Sequence, residues 1–273
     1  DSMIRNQFVS LACLLWEADP AITRSQITRA GPVLMIHLPT YDVQILCLYS
    51  ETLLDKPLPQ LMHDSSTAML TPAFDAVMKG TAMPIHGLKA RKPTYTVLSV
   101  AHHFARRRSQ TMCQDRDASS PGCEPDSVDL HRFRRVLDRI NTLVQRMQQT
   151  RSPDTQIIWR GAPTRHYYGG EWNTGGTCNH RAPCLTDAVV QVTQMGSTYW
   201  TSVAVNRVIR ESATAHRFGF VDILPSTLSR CDAHVNNQPI GNHGRFPDCT
   251  HYCVPGVPET WNPPLFASFH MVF

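Results

Sequence analysis

The sequence has no apolar run long enough to cross a membrane and no signal segment at its front. It also lacks an initiating Met. Asp1 comes first and stands inside a motif described below, so the chain reads as a fragment whose front end, with any targeting information, is missing. Charged residues make up only 18% of the chain, which excludes a largely disordered protein. The balance of +4 is mildly basic, but the arginines are scattered apart from Arg106-Arg107-Arg108, so no nucleic-acid partner is expected. No Cys-x-x-Cys pair occurs. The alternation Cys249, His251, Cys253 suits zinc poorly even if Cys178 and Cys184 joined it, so no metal is expected.

Cysteine itself is plentiful. The 9 cysteines point to disulfides and an oxidising compartment. Their odd number leaves at least one thiol free or paired outside this chain.

Residues 3–16 place Ile4, Phe8, Leu11 and Leu15 at helical spacing, so a helix starts right after Asp1-Ser2. "VLMIHL" (33–38) and "YDVQILCLY" (41–49) read as two strands of a hairpin. "TYTVLSVAHHF" (94–104) reads as a buried strand. Residues 105–127 are polar and turn-rich and read as a surface insertion, with Cys113 and Cys123 placed to close it. "SVDLHRFRRVLDRINTLVQRMQ" is an amphipathic helix, with Leu130, Phe133, Leu137, Ile140, Val144 and Met147 on one stripe. "TQIIWRG" (155–161) and "RFGFVDIL" (217–224) read as strands. "TDAVVQVTQMG" and "TSVAVNRVIRES" read as helices. Residues 50–90 are ambiguous. Strands alternating with helices predict an α/β fold with parallel strands, taken as one domain over 1–273.

"DCTHYCVPGVPETWN" (248–262) carries the densest chemistry: Asp248, His251 three residues on, and two flanking cysteines. A serine at the start of a helix has backbone N–H groups beside it for a developing oxyanion, but needs a base, and the base needs an orienting group. Ser2, His251 and Asp248 supply that set. Disulfides through Cys249 and Cys253 would fix the loop that holds the imidazole. Asp232 and His234 invite a second pair, read here as a hydrogen bond that holds a loop. Trp172 and Trp261 suit either stacking on sugar rings or packing. Glu171 suits acceptor binding or bracing a loop. His102 and His103 face a cleft or pack.

These segments resemble the plant trichome birefringence-like family, the polysaccharide O-acetyltransferases of the PC-esterase group. "DSMIRNQFVSLACLL" is similar to the family's nucleophile block from the Asp onward. "DCTHYCVPGVPETWN" is similar to its Asp-x-x-His block, "WRGAPTRHYYGGEWNTGGTC" to its Gly-Gly-Glu-Trp-Asn segment, and "SRCDAHVN" to its Arg-x-Asp-Ala/Gly-His block. The resemblance implies an SGNH-hydrolase-like α/β fold, with a mostly parallel central sheet flanked by helices and its first strand missing from this fragment.

It further implies a Golgi-lumen enzyme, membrane-anchored only through the absent N-terminal region. Such an enzyme moves acetyl from a donor, acetyl-CoA or another carrier, onto hydroxyls of a wall polysaccharide such as xylan. The alternatives are an acetylesterase and an inactive glycan-binding relative. Ser2 is then the nucleophile, His251 the base and Asp248 its orienter. Arg5 lies beside the site or pairs with a surface carboxylate. Cys178 with Cys249 is the expected internal disulfide. Partners of Cys13 and Cys253 are expected in the missing part. The chain departs from the family where Ser99 stands at an expected Asn and Ala101 at an expected Gly, which puts one oxyanion donor in a serine hydroxyl. Pro163-Thr164 replaces a usual Ser-Pro pair.

Overall fold

The computed structural model describes residues 2–18, 27–30, 33–38, 40, 43–48, 54–55, 60, 64–81, 93–99, 127–167, 178, 197–234 and 248–270. Helix α1 (Ser2–Ala18) opens them, followed by strands β1 (Ile27–Ala30), β2 (Val33–Leu38) and β3 (Val43–Leu48). Helix α2 (Pro72–Lys79) and strand β4 (Tyr95–Leu98) come next, then helix α3 (Ser127–Arg151) and strand β5 (Gln156–Arg160). Helix α4 (Ser197–Ala215), strand β6 (Gly219–Val221) and the short helix α5 (Leu224–Leu228) lead to two 3-10 turns, Cys231–Ala233 and Val257–Trp261. Helix α6 (Asn262–His270) closes the described residues. No helix among them is long and apolar enough to cross a membrane.

Strands β1, β2 and β3 form an antiparallel sheet, with β2 and β3 paired from Val33↔Leu48 to Leu38↔Val43. The hairpin expected over 33–49 is therefore present, and β1 extends it. Strand β1 is short and half polar (Ile27, Thr28, Arg29, Ala30), so the sequence carries little strand signal there. Helix α1 covers this sheet through Phe8, which is buried with Ile36 and Cys47.

Strands β4, β5 and β6 form a separate, parallel sheet in that spatial order. Parallel neighbours need crossovers, and α3 and α4 are the crossover helices. Alternation along β5 sends Ile157 and Trp159 to one face and Ile158 to the other. The first face packs on α3 and α4, where Phe133, Leu137, Ile140 and Val144 are buried, as the stripe predicts. Leu130 and Met147, at the ends of the stripe, are partly buried against the same core. The second face packs under Tyr252, Val257, Trp261 and Leu265 from the C-terminal segment.

A buried polar network ties the first face together. Trp159 Nε1 donates to Asn141 Oδ1 at 2.8 Å, Asn141 Nδ2 to Ser212 Oγ at 2.9 Å, and Ser212 Oγ to Asp138 Oδ1 at 2.7 Å. Every member finds a partner, which is the condition for burying such groups cheaply.

Helix α2 lies in the stretch whose sequence is ambiguous. It is nonetheless well punctuated: Thr71 Oγ1 accepts from the Phe74 N–H, Pro72 starts the helix, and Gly80 ends it at φ 67°. At Gly161, just beyond β5, the chain runs so close to α4 that a Cβ would stand 2.6 Å from Asn206 Oδ1. Asn206 is held there by bonds to both main-chain groups of Ala162, at 2.7 and 2.9 Å.

Candidate active site

The Asp248–His251 loop folds on itself first. Asp248 Oδ1 accepts the main-chain N–H of Thr250 and of His251, both at 3.0 Å. Its other oxygen, Oδ2, lies 2.7 Å from His251 Nδ1. One carboxylate thus shapes the turn and orients the ring. With Nδ1 committed as donor, the neutral ring carries its lone pair on Nε2, the tautomer a general base needs. Burial works to raise the Asp248 carboxyl, but the His251 ring and the two N–H donors outweigh it and hold the group below the usual carboxylate range. Both side chains keep partial exposure, 32% for His251 and 25% for Asp248, so the ring reaches solvent-borne molecules.

The rest of the fold grips this loop from three sides. Cys249 is fully buried and forms the Cys178–Cys249 disulfide, as expected. A disulfide sulfur is no thiolate ligand, so the zinc alternative loses Cys249 as well. From the segment after β5, His166 N donates to Cys249 O at 3.0 Å, Tyr167 and Thr250 join hydroxyls at 3.1 Å, and Tyr252 Oη donates to Thr164 O at 2.7 Å. Burial pushes the Tyr167 phenol up, so it stays a neutral hydrogen-bonding group. From the segment after α5, Cys253 N donates to Ala233 O at 2.9 Å.

Helix α1 docks against the same loop. Asn6 Nδ2 donates to Tyr252 O at 3.4 Å, directly after His251. One turn further on, Asn262 bridges Gln7 and Ser10, with both contacts at 3.3 Å. Ser2 is the first residue of α1 and stands one turn before Asn6, so the two share a helix face. The side chains of Ser2 and Arg5 lie outside the described residues.

The other expected residues divide clearly. Ser99, at the end of β4, is buried and accepts a hydrogen bond from Arg160 Nη2 at 2.8 Å. Trp261 does not suit sugar stacking: it is fully buried, with the Arg160 guanidinium 5.2 Å above its ring and Tyr252 edge-on at 5.8 Å. Its place on the inner side of the Val257–Trp261 turn makes it a core residue. Cys253 and Cys13 are exposed and form no disulfide among the described residues. Cys231 is disulfide-bonded, which the sequence reading did not single out. Asp232 takes both guanidinium contacts of Arg230, at 2.9 and 3.0 Å. His234 does hold a loop, but through His166 and the His251 carbonyl rather than through Asp232. Residues Trp172, Glu171, His102, His103, Cys113 and Cys123 lie outside the described residues, as does residue 101.

Sequence reasoning missed Arg160 and His166. Arg160 is wholly buried in a strand, and burial lowers its guanidinium to about 9. His166 sits inside the quoted "TRHYYGGEWN" stretch, but nothing in its neighbours shows that it meets His234.

The family model for PC-Esterase, described as a GDSL/SGNH-like acyl-esterase family found in Pmr5 and Cas1p, matches residues 1–268. Xyloglucan O-acetyltransferase 4 of Populus trichocarpa is 25% identical over 98% of this chain and 63% of its own length. Probable xylan O-acetyltransferase 10 of Oryza sativa subsp. japonica is 23% identical over 98% of this chain and 60% of its own. Protein trichome birefringence-like 13 of Arabidopsis thaliana is 33% identical over 50% of this chain and 33% of its own. The chain thus spans less than two thirds of these relatives' length. Among solved structures, an extracellular lipase from Streptomyces rimosus aligns with a TM-score of 0.35 at 15% identity, over 64% of this chain and 68% of the lipase. With the family match running across nearly its whole length, and a parallel sheet flanked by helices beneath the Asp248–His251 loop, the chain belongs to the SGNH-like PC-Esterase family.

Proposed function

We propose that this chain transfers acetyl groups onto hydroxyls of a cell-wall polysaccharide, xylan or xyloglucan, through an acyl-serine intermediate. The observation that carries the reading is the Asp248–His251 pair, with Nδ1 bound to the carboxylate at 2.7 Å and the loop docked on the first turns of α1. The names of the two relatives that align with nearly all of this chain support the acceptor class.

His251 Nε2 takes the proton of Ser2 Oγ as the oxygen attacks the acetyl carbonyl of the donor, which is acetyl-CoA or another carrier. The oxyanion draws on the N–H groups at the start of α1, with Ser99 as a side-chain donor. The tetrahedral intermediate collapses, and the departing carrier receives the proton from His251. A sugar hydroxyl then gives its proton to His251 and attacks the acetyl-serine; the second tetrahedral intermediate collapses to the acetate ester, and His251 returns the proton to the departing Ser2 Oγ. Arg5 and Trp172 are assigned to acceptor or donor binding beside Ser2. We place the enzyme in the Golgi lumen, anchored through sequence upstream of Asp1. The Cys178–Cys249 disulfide supports an oxidising compartment.

Intact-mass spectrometry after incubation with an activated acetyl ester tests this. The expected result is one acetyl on Ser2, absent in Ser2→Ala and His251→Ala, and discharged faster by xylo-oligosaccharide than by buffer. Equal discharge in buffer assigns the chain as an esterase. No adduct on the folded parent overturns the catalytic reading and leaves glycan binding.

A further inference from the structure

Two buried histidines stand beneath the Asp248–His251 loop. His166 is 0% exposed and His234 is 2% exposed. His166 Nδ1 lies 2.6 Å from His234 Nε2. At the outer ends, His166 Nε2 lies 3.0 Å from Leu228 O, and His234 Nδ1 lies 2.8 Å from His251 O.

Counting hydrogens decides the state of this chain of contacts. A carbonyl oxygen only accepts, so both outer nitrogens must carry hydrogen. The inner nitrogen–nitrogen contact needs one hydrogen more. That makes three hydrogens on four ring nitrogens, whereas two neutral imidazoles bring only two. We infer that the His166–His234 pair holds one extra proton and works as a positioning device for His251, fixing its main-chain carbonyl through a charge-assisted hydrogen bond. The assignment as positioning rests on the acetyl-transfer reading. The proton count does not.

The surroundings say which ring is charged. Burial lowers His166 to about 4, so His166 is the neutral partner, donating from Nε2 and accepting at Nδ1. His234 is then the imidazolium, donating from both nitrogens. Its ring lies against Tyr252, centroid to centroid 4.3 Å, within the range of a cation–π contact. The Asp232 carboxylate, on the adjacent 3-10 turn and paired to Arg230, acts electrostatically on the His166 side of the pair in favour of the extra proton, against the effect of burial. From the loop side, Asp248 and His251 are engaged with each other, and Tyr167 and the buried Arg165 flank His166 along the chain. A donor that carries charge holds a carbonyl more firmly than a neutral one. The His251 main chain is thereby held from below by His234 while its ring is held by Asp248.

The test is nitrogen-15 NMR of the intact chain with labelled histidine, at neutral pH. The expected spectrum has one ring with both nitrogens protonated and one ring with a single protonated nitrogen, joined by a coupling across the inner hydrogen bond. His166→Gln and His234→Gln each remove one set and assign them. Two neutral rings overturn the inference. The functional arm measures acetyl-enzyme formation. His234→Phe removes the donor and is expected to lower the rate about 10- to 100-fold, with KM for the acetyl ester unchanged. His234→Gln, which keeps an amide N–H towards His251 O, recovers part of it. Parental rates in a folded His234→Phe overturn the positioning role. If the parent itself forms no acetyl-enzyme, the acetyl-transfer reading fails, and the spectrum still decides the proton count.

Discussion

Asp248 meets His251 twice: one carboxylate oxygen takes the ring Nδ1 at 2.7 Å, and the other takes the main-chain N–H at 3.0 Å. The loop and the ring are therefore set by one side chain, and its removal has separable effects on structure and on rate.

Asp248→Asn keeps an oxygen for the turn but puts an amide where the acceptor for Nδ1–H stood, or reverses the two. The ring then favours the tautomer that carries hydrogen on Nε2, which cannot act as the base. Acetyl-enzyme formation is expected to fall by about 10⁴-fold, with the fold retained. Stopped-flow or quenched mass spectrometry reads the rate. A fall of less than tenfold in a folded variant shows that Asp248 does not orient the base.

The same carboxyl makes stability depend on pH. Burial raises it, but the His251 ring and the two N–H donors bring it below the usual range. A group depressed in the folded state stabilises above its unfolded value, and that stabilisation drains away as pH falls through the folded one. The gap in melting temperature between the parent and Asp248→Asn is expected to be full at neutral pH and to shrink below about pH 4. A gap that stays constant down to pH 2 contradicts the assignment.

The Cys178–Cys249 bond closes a sequence separation of 71 residues and anchors the residue next to Asp248. Replacing both cysteines by Ser is expected to cost about 2–5 kcal/mol in urea unfolding and to slow acetyl-enzyme formation by loosening the loop. Unchanged stability and rate show that hydrogen bonds alone hold the loop.

Trp261→Ala separates packing from sugar stacking. The side chain is fully buried between Arg160 and Tyr252. The expected cost is about 3–5 kcal/mol of stability. A variant with parental melting temperature and weakened oligosaccharide binding restores the stacking role.

The features legible in the sequence are those written in local spacing. The α3 stripe repeats with the helical period, and Phe133, Leu137, Ile140 and Val144 are buried as the period selects, with Val136 and Leu143 buried beside them. The β2–β3 hairpin follows from two apolar runs a few residues apart. The Asp248–His251 pair is legible because three residues of chain suffice to bring the groups together. Helix α2 was also legible in principle, since Thr71, Pro72 and Gly80 punctuate it, but the prolines around it obscured the pattern.

Contacts between residues far apart in the chain were decided elsewhere. Arg160 reaches Ser99 across 61 positions, and His166 reaches His234 across 68, because the parallel sheet brings the segments after its strands to one edge. Which face of the Val257–Trp261 turn would be buried depended on the sheet beneath it, and that took Trp261 out of the substrate's reach. The sequence by itself determined the helical periods, the strand runs and the Asp-x-x-His chemistry, because these are properties of neighbours along the chain. Only the tertiary structure decided what holds that chemistry in place. Burial and hydrogen-bond pairing depend on which distant surfaces pack together, and no local pattern records that.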